Sequence, residues 1–319
     1  MPHLSVRTRT MPTGNAFASP VLFDFTDDVG QGEQILGYAV GMSGFLLNYV
    51  TNSDYWAENA GTVAASLTPN LLGNVIVVGG NVLLTDYDGD SARDFPDGSK
   101  DPASVAQVTA LAVIGTSLTT TVCGTAFGLT TGKDSQEINI SNNTNLAFLS
   151  GFSVAGTGGD AGEIGGLTLT SSVSSPYQDQ VTVNGTTSLS NFPTTGTVDV
   201  GILSYGSDLE GFDVQPATVK WGDPNGVQGM TGTFLNTFTI PAPYSQIANA
   251  AILLQGVTIH YGDTANFELI EAMQPSGLSI DGDQVSGAFT LNMFNPDFGA
   301  RTYISRDSTA ALSVIVQFA

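Results

Sequence analysis

A period of two in the apolar residues constrains this chain more than any other feature. VTIHY at 257–261, QVTVNG at 180–185, TVDVGILSY at 197–205 and AALSVIVQF at 310–318 all carry it, and side chains alternate between two faces only along extended backbone. Turn pairs such as Asn184-Gly185, Asp281-Gly282, Gly158-Gly159 and Asn295-Pro296 punctuate the runs, as antiparallel hairpins require. No stretch sustains a 3.6-residue apolar period over helix length. The nearest, YSQIANAAILL at 244–254, reads equally well as a turn followed by a strand. The predicted class is all-β: tandem antiparallel β-sandwich or jelly-roll units, two or three of them, with no long helices.

The repeat is visible in three glycine-led strands, GFLLNYV from Gly44, GFSVAG from Gly151 and GVTIHYG from Gly256, spaced by 107 and 105 residues. Each is followed by a second strand of related texture: VTALAVIG from Val108, VDVGILSYG from Val198 and LSVIVQFA from Leu312. A phenylalanine-containing segment precedes each, VLFDF at 21–25, TAFGL at 125–129 and FLNTFTI at 234–240. This pattern predicts an extended N-terminal arm over 1–20 and sandwich units over 21–120, 121–207 and 230–319, with a linker or long loop over 208–229. The rival organisation is a duplicated sandwich with residues 121–207 as an irregular insert. Trp221, between Lys220 and Gly222, is expected to be packed as a plug rather than displayed as a binding aromatic.

Charge narrows the partners. With 8 basic and 29 acidic residues the formal charge is −21, so a nucleic-acid backbone would be repelled and nucleic-acid binding is set aside. Anionic lipid is disfavoured for the same reason. The leader MPHLSVRTRTMPTGNAFASP lacks the apolar run of a classical signal peptide, and ILGYAVGMSGFLLNYV at 35–50 is interrupted by glycine and polar residues, so no transmembrane segment is expected. Cys123 is the only cysteine. An intrachain disulfide is therefore excluded, and a small buried hydrophobe is the expected role.

The most chemically pointed stretch is TDYDGDSARD at 85–94. Asp86, Asp88, Asp90 and Asp94 take positions 1, 3, 5 and 9 of a loop, with the carbonyl of Ala92 at position 7, a spacing that turns alternate oxygens onto one hard cation such as Ca2+. At these residues the stretch resembles the calcium loops of integrin-type propeller repeats and, less closely, those of dockerins and thrombospondin type 3 repeats. The resemblance covers about nine residues and implies a cation, not a fold. It departs from those loops in having Ser91 where glycine makes the sharp turn. The competing reading is a solvated hairpin loop after NVLL.

Nothing signals catalysis. His3 and His260 are the only histidines, no GxSxG is present, GTGGDAGEIGG at 156–166 leads into a strand rather than a helix, and GLTTGKD at 128–134 lacks Walker spacing. A non-enzymatic protein is expected. The first functional expectation is structural assembly, as a virion coat or spike component, with the chain as a homo-oligomer or part of a larger particle reached after release from the cell. The alternative is a carbohydrate-binding or adhesion protein that contacts glycans through Tyr55, Trp56 and Tyr177 with calcium in support.

Overall fold

The computed structural model describes residues 2–13, 20–48, 60–86, 104–117, 122–130, 136–139, 144–156, 164–177, 180–189, 194–221, 230–265, 269–294 and 307–319. The fold is all-β and antiparallel, a set of β-sandwich layers. The first segment supplies β1 (His3–Thr13), β2 (Val21–Asp24), β3 (Gln34–Asn48), β4 (Ala60–Leu72), β5 (Val75–Asp86) and β6 (Ser104–Gly115). The second supplies β7 (Val122–Thr130), β8 (Gln136–Asn139), β9 (Thr144–Gly156), β10 (Ile164–Tyr177), β11 (Gln180–Leu189) and β12 (Thr194–Tyr205). The third supplies β13 (Phe212–Lys220), β14 (Met230–Thr237), β15 (Ile247–Ala265), β16 (Leu269–Met273), β17 (Ser279–Asp281), β18 (Gln284–Phe294) and β19 (Thr309–Phe318).

The strand orders of the three sheets are β1-β6-β3-β16-β18-β14, β7-β12-β9-β4-β5-β2 and β13-β19-β15-β10-β11-β8, with β17 added to β18. One rule generates all three. With β17 left out of the count, the first, sixth and third strands of a segment form half a sheet, and the fourth, fifth and second strands of the preceding segment complete it, with the third segment preceding the first. Each segment is thus a two-layered sandwich whose layers belong to different sheets. The topology is cyclic with threefold order.

The glycine-led strands are where this exchange happens. Gly44, Gly151 and Gly256 each follow a one-residue bulge, at Ser43, Ser150 and Gln255, in the ladder to the sixth strand. A bulge bends its strand and sharpens the local twist. Pairing of this strand with the neighbouring segment is confined to the stretch from the glycine onward: β3 with β16 over Phe45–Asn48, β9 with β4 over Gly151–Ala155, and β15 with β10 from Gly256. A Cβ on Gly44 would sit 2.7 Å from Met273 Cα and 2.8 Å from the Ala272 carbonyl oxygen. A Cβ on Gly256 would sit 2.9 Å from the Leu169 carbonyl oxygen, and one on Gly151 3.2 Å from that of Ala65. At Gly44 and Gly256 glycine is required by the close approach of backbone from another segment, whereas at Gly151 the nearest atom is Asp199 Oδ2 of the same segment, 2.6 Å away.

β3, β9 and β15 touch one another pairwise. Before the bulges, Gly41, Phe148 and Leu253 form a layer: a Cβ on Gly41 would overlap the Phe148 ring and lie 2.8 Å from Leu253 Cδ2. Gly201 of β12 makes room for the same ring. Ala39, Leu146 and Ala251 belong to the same cluster, which draws on all three segments. Beyond the bulges, the residues after the glycines pack in the larger core, with the Phe45 and Phe152 rings 5.1 Å apart. A polar band crosses the centre at the bulges. Ser150 Oγ donates to the Val40 carbonyl (2.8 Å) and Thr109 Oγ1 to the Ile252 carbonyl (3.0 Å).

The sixth strands are covered on both faces, one by the central cluster and one by the facing layer of their own segment. Val108–Gly115 of β6, Val200–Ser204 of β12 and Leu312–Val316 of β19 are buried without interruption. This explains why VTALAVI reads as a near-continuous apolar run and why the alternation expected of AALSVIVQF is lost over Leu312–Val316.

Several expectations resolve differently. Residues 3–13, expected within an extended arm, are β1, paired along its whole length with β6. Residues 208–229, expected as a linker, contain β13, paired with β19. Proline obscured both: Pro12 and Pro216 lie on edge strands, where a missing N–H costs no ladder bond. Side chains cap these edges against further pairing. Asn249 Nδ2 donates to the Val6 carbonyl (2.8 Å), Gln317 Nε2 to that of Leu4 (2.7 Å) and Asn236 Nδ2 to that of Pro216 (3.1 Å). The phenylalanine segments are not equivalent, since VLFDF and FLNTFTI begin on second strands and TAFGL lies on a first strand. Trp221 is buried in the core, against Gly232.

Replacing Gly44 with alanine is expected to cost about 1–3 kcal/mol, because backbone rather than a flexible side-chain tip blocks the new methyl group. Gly124→Ala, where a Cβ meets nothing within 4 Å, should change stability by less than about 0.5 kcal/mol. Urea unfolding of both variants checks the difference.

Candidate functional site

Strand direction decides where the sequence-predicted site residues go. Within each segment the first and third strands run together and the sixth runs against them. Thr13 therefore pairs with Ser104, Gly156 with Thr194, and Lys220 with Thr309. The fourth strands begin at this same end, Thr62 opposite Ala155, Ile164 opposite Ala265 and Leu269 opposite Asn48. Because β3, β9 and β15 match residue for residue around the centre, these ends coincide in all three segments. The long connections 49–59, 87–103, 157–163 and 295–306 all begin and end here. The opposite end carries tight turns, at Gly73 and Gly282, both with positive φ.

Asp86 is the last residue of β5 and pairs with Ala60, the first residue of β4. Asp88, Asp90, Ala92 and Asp94 lie outside the described residues, as do Tyr55 and Trp56. The ends of the acidic connection and of the aromatic connection are nevertheless neighbours through the Ala60 and Asp86 pair. Tyr177 is separated from them. It ends β10 opposite Gln180, at the turn-bearing end. Among the described residues no group of three or more His, Cys, Asp or Glu is placed to hold a metal ion.

Several other described residues of titratable type take part in contacts within the fold. His260, in β15, donates its backbone N–H to Ser308 Oγ (3.0 Å). Arg7 pairs with Asp28 at 2.8 Å and lies over the Phe25 ring, while Ser5 Oγ donates to the same carboxylate. This ties β1 to the short 3-10 turn at Thr26–Asp28. Hydrogen bonds from the Thr26 hydroxyl and amide hold the Asp24 carboxyl below its usual range. Asp199, on β12 opposite Gly151, accepts the Gly128 N–H at 2.6 Å and so fixes the kink in β7.

Among the described residues burial raises three groups: the Tyr205 hydroxyl, with the Asp213 charge adding to the effect, and Cys123 and Glu271. Cys123 is partly buried against the central cluster, and desolvation pushes its thiol up to about 12. Glu271 faces Leu46 and Asn292 across the seam between β3, β16 and β18. Desolvation raises its carboxyl, and the hydrogen bond with Asn292 opposes part of that. Neither Cys123 nor Glu271 has a partner suited to nucleophilic or acid–base chemistry. Periodicity alone could not mark Glu271, because one acid in LIEAM reads as a solvent-facing position. No protein-family model matches the chain, and no curated protein matches it at a significant level. No helix among the described residues is long and apolar enough to cross a membrane.

These environments have measurable consequences. A thiol held at about 12 is almost wholly protonated near neutrality, so folded protein should resist iodoacetamide at about pH 8 and react once unfolded; labelling of the native state at the rate of free cysteine would contradict its burial. Glu271 binds its proton more tightly folded than unfolded, so its contribution to stability falls as pH rises through its raised range. Glu271→Gln should therefore raise the melting temperature at pH 7, with the gain vanishing below about pH 4.

Proposed function

We propose that the protein is a non-enzymatic carbohydrate-binding or adhesion module that meets its partner with the end from which the long connections leave. The observation that carries this reading is the pairing of Ala60 with Asp86. It brings the ends of the connection containing Tyr55 and Trp56 beside those of the connection containing Asp88, Asp90 and Asp94. Aromatic faces stack on the apolar faces of sugar rings, and a hard cation held by carboxylates keeps adjoining loops in one conformation. Loops displayed by a rigid sheet scaffold are the usual place for recognition. Three segments presenting one end together would add multivalency.

Structural assembly, as a virion coat or spike component, is the second reading. Its supporting observation is the cyclic threefold topology, by which one chain does what three subunits do in a trimer. Residues 3–13 of the expected N-terminal arm are engaged in β1 within the same chain, so they do not add to this reading.

A glycan array run with and without calcium separates the two. Binding that needs calcium and is lost in Trp56→Ala and Asp88→Ala is the expected result. Absence of any glycan binding, with large symmetric particles seen by light scattering, would favour assembly. Calcium should also raise the melting temperature of the parent chain but not that of Asp88→Ala.

A further inference from the structure

We propose that residues 208–319 form a complementing partner for residues 1–207: the surface between them holds the two pieces together, and lets them find each other, without the covalent connection. The third segment meets the rest of the chain along two sheet ladders. β15 pairs with β10 and β16 pairs with β3, so neither of its layers is complete alone. Its Leu253 fills the central layer against Gly41, and its Ala251 and Ile315 belong to the cluster shared with Leu4, Phe148 and Leu203. Such an interface resembles a domain core cut in two, the type found in obligate complexes.

Polar contacts fix its register. Gln107 of β6 reaches across Gly44 and bonds both the carbonyl (2.9 Å) and the N–H (3.0 Å) of Gln274. Ser171 Oγ donates to the Gln255 carbonyl (2.8 Å), the bulged residue of β15. Asn249 and Gln317 bond the carbonyls of Val6 and Leu4. Against all this there is one covalent link, residues 206–211 between β12 and β13, in which Ser207 is exposed. Leu209 and Glu210 are anchored beyond it, the first in the central cluster and the second through its N–H on the Pro2 carbonyl. The link raises the effective concentration of the two pieces but supplies none of the ladders or layers.

The test uses the full chain with a specific protease site inserted between Ser207 and Asp208, cut after folding. The cut protein should keep the native mass of the uncut protein by size-exclusion chromatography and native mass spectrometry at micromolar concentration. It should retain its strand circular dichroism, and its melting temperature should become concentration-dependent. Unfolding and refolding a mixture of isotopically heavy and light cut protein should give hybrid complexes. Separation of the fragments under native conditions, or refolding without hybrids, would overturn the proposal. If the insertion prevents folding, the same measurements on a site between Thr116 and Ser117 test the equivalent surface of the first segment, with the same outcomes deciding.

Discussion

Three bulged, glycine-led strands carry the change of partner that makes this fold cyclic. At Gly44, Gly151 and Gly256 a strand that has belonged to its own segment bulges, turns and accepts a strand from a neighbour. At Gly44 and Gly256 the approach is too tight for a side chain, with backbone of the incoming strand 2.7 and 2.9 Å from where a Cβ would stand, and at Gly151 the Ala65 carbonyl lies 3.2 Å away. The bulge and the glycine act together: one re-aims the strand, the other removes the obstacle to its new partner. Everything else in the architecture, including the shared sheets, the central layers and the coincidence of strand ends, follows from this change of partner being made three times.

The exchange also accounts for the unusual composition. A sheet with one solvated face alternates along every strand, but β6, β12 and β19 lie between the centre and an outer layer and are buried on both faces. They demand apolar residues at consecutive positions, which leaves little room for charge, and only 12% of the chain is charged. Asp199 of β12 stands just before the buried stretch and accepts the Gly128 N–H. Where an acid does enter a seam, as Glu271 does, burial moves its titration.

The all-β class, the glycine-led strands and their companions were legible because periodicity and local texture are properties of short stretches. The exchange was not. Nothing in GFSVAG says whether its partner comes from its own segment or the one before, since both pairings satisfy the same alternation. Edge prolines hid β1 and β13, because proline argues against a strand unless the strand is known to lie at an edge. At the candidate site the aromatics Tyr55 and Trp56 and the acids at 86–94 were chosen separately from residue type. The meeting of the ends of their two connections depends on Ala60 opposing Asp86, and the place of Tyr177 at the opposite end depends on the direction of β10. Strand direction is a long-range property, set by sheets that join residues a hundred or more positions apart.

The shared sheets are tested most directly by cross-linking across one seam. Leu46 opposes Glu271 of the third segment, while Ala64 of β4 occupies the place corresponding to Glu271 within the first segment, opposite Ser153. In a Cys123→Ala background, cysteines at 46 and 271 should form a disulfide on mild oxidation, since directly opposed strand residues lie within bridging distance. Cysteines at 46 and 64 should not. A 46–64 bridge with no 46–271 bridge would mean that each segment closes on itself, and would contradict the cyclic exchange.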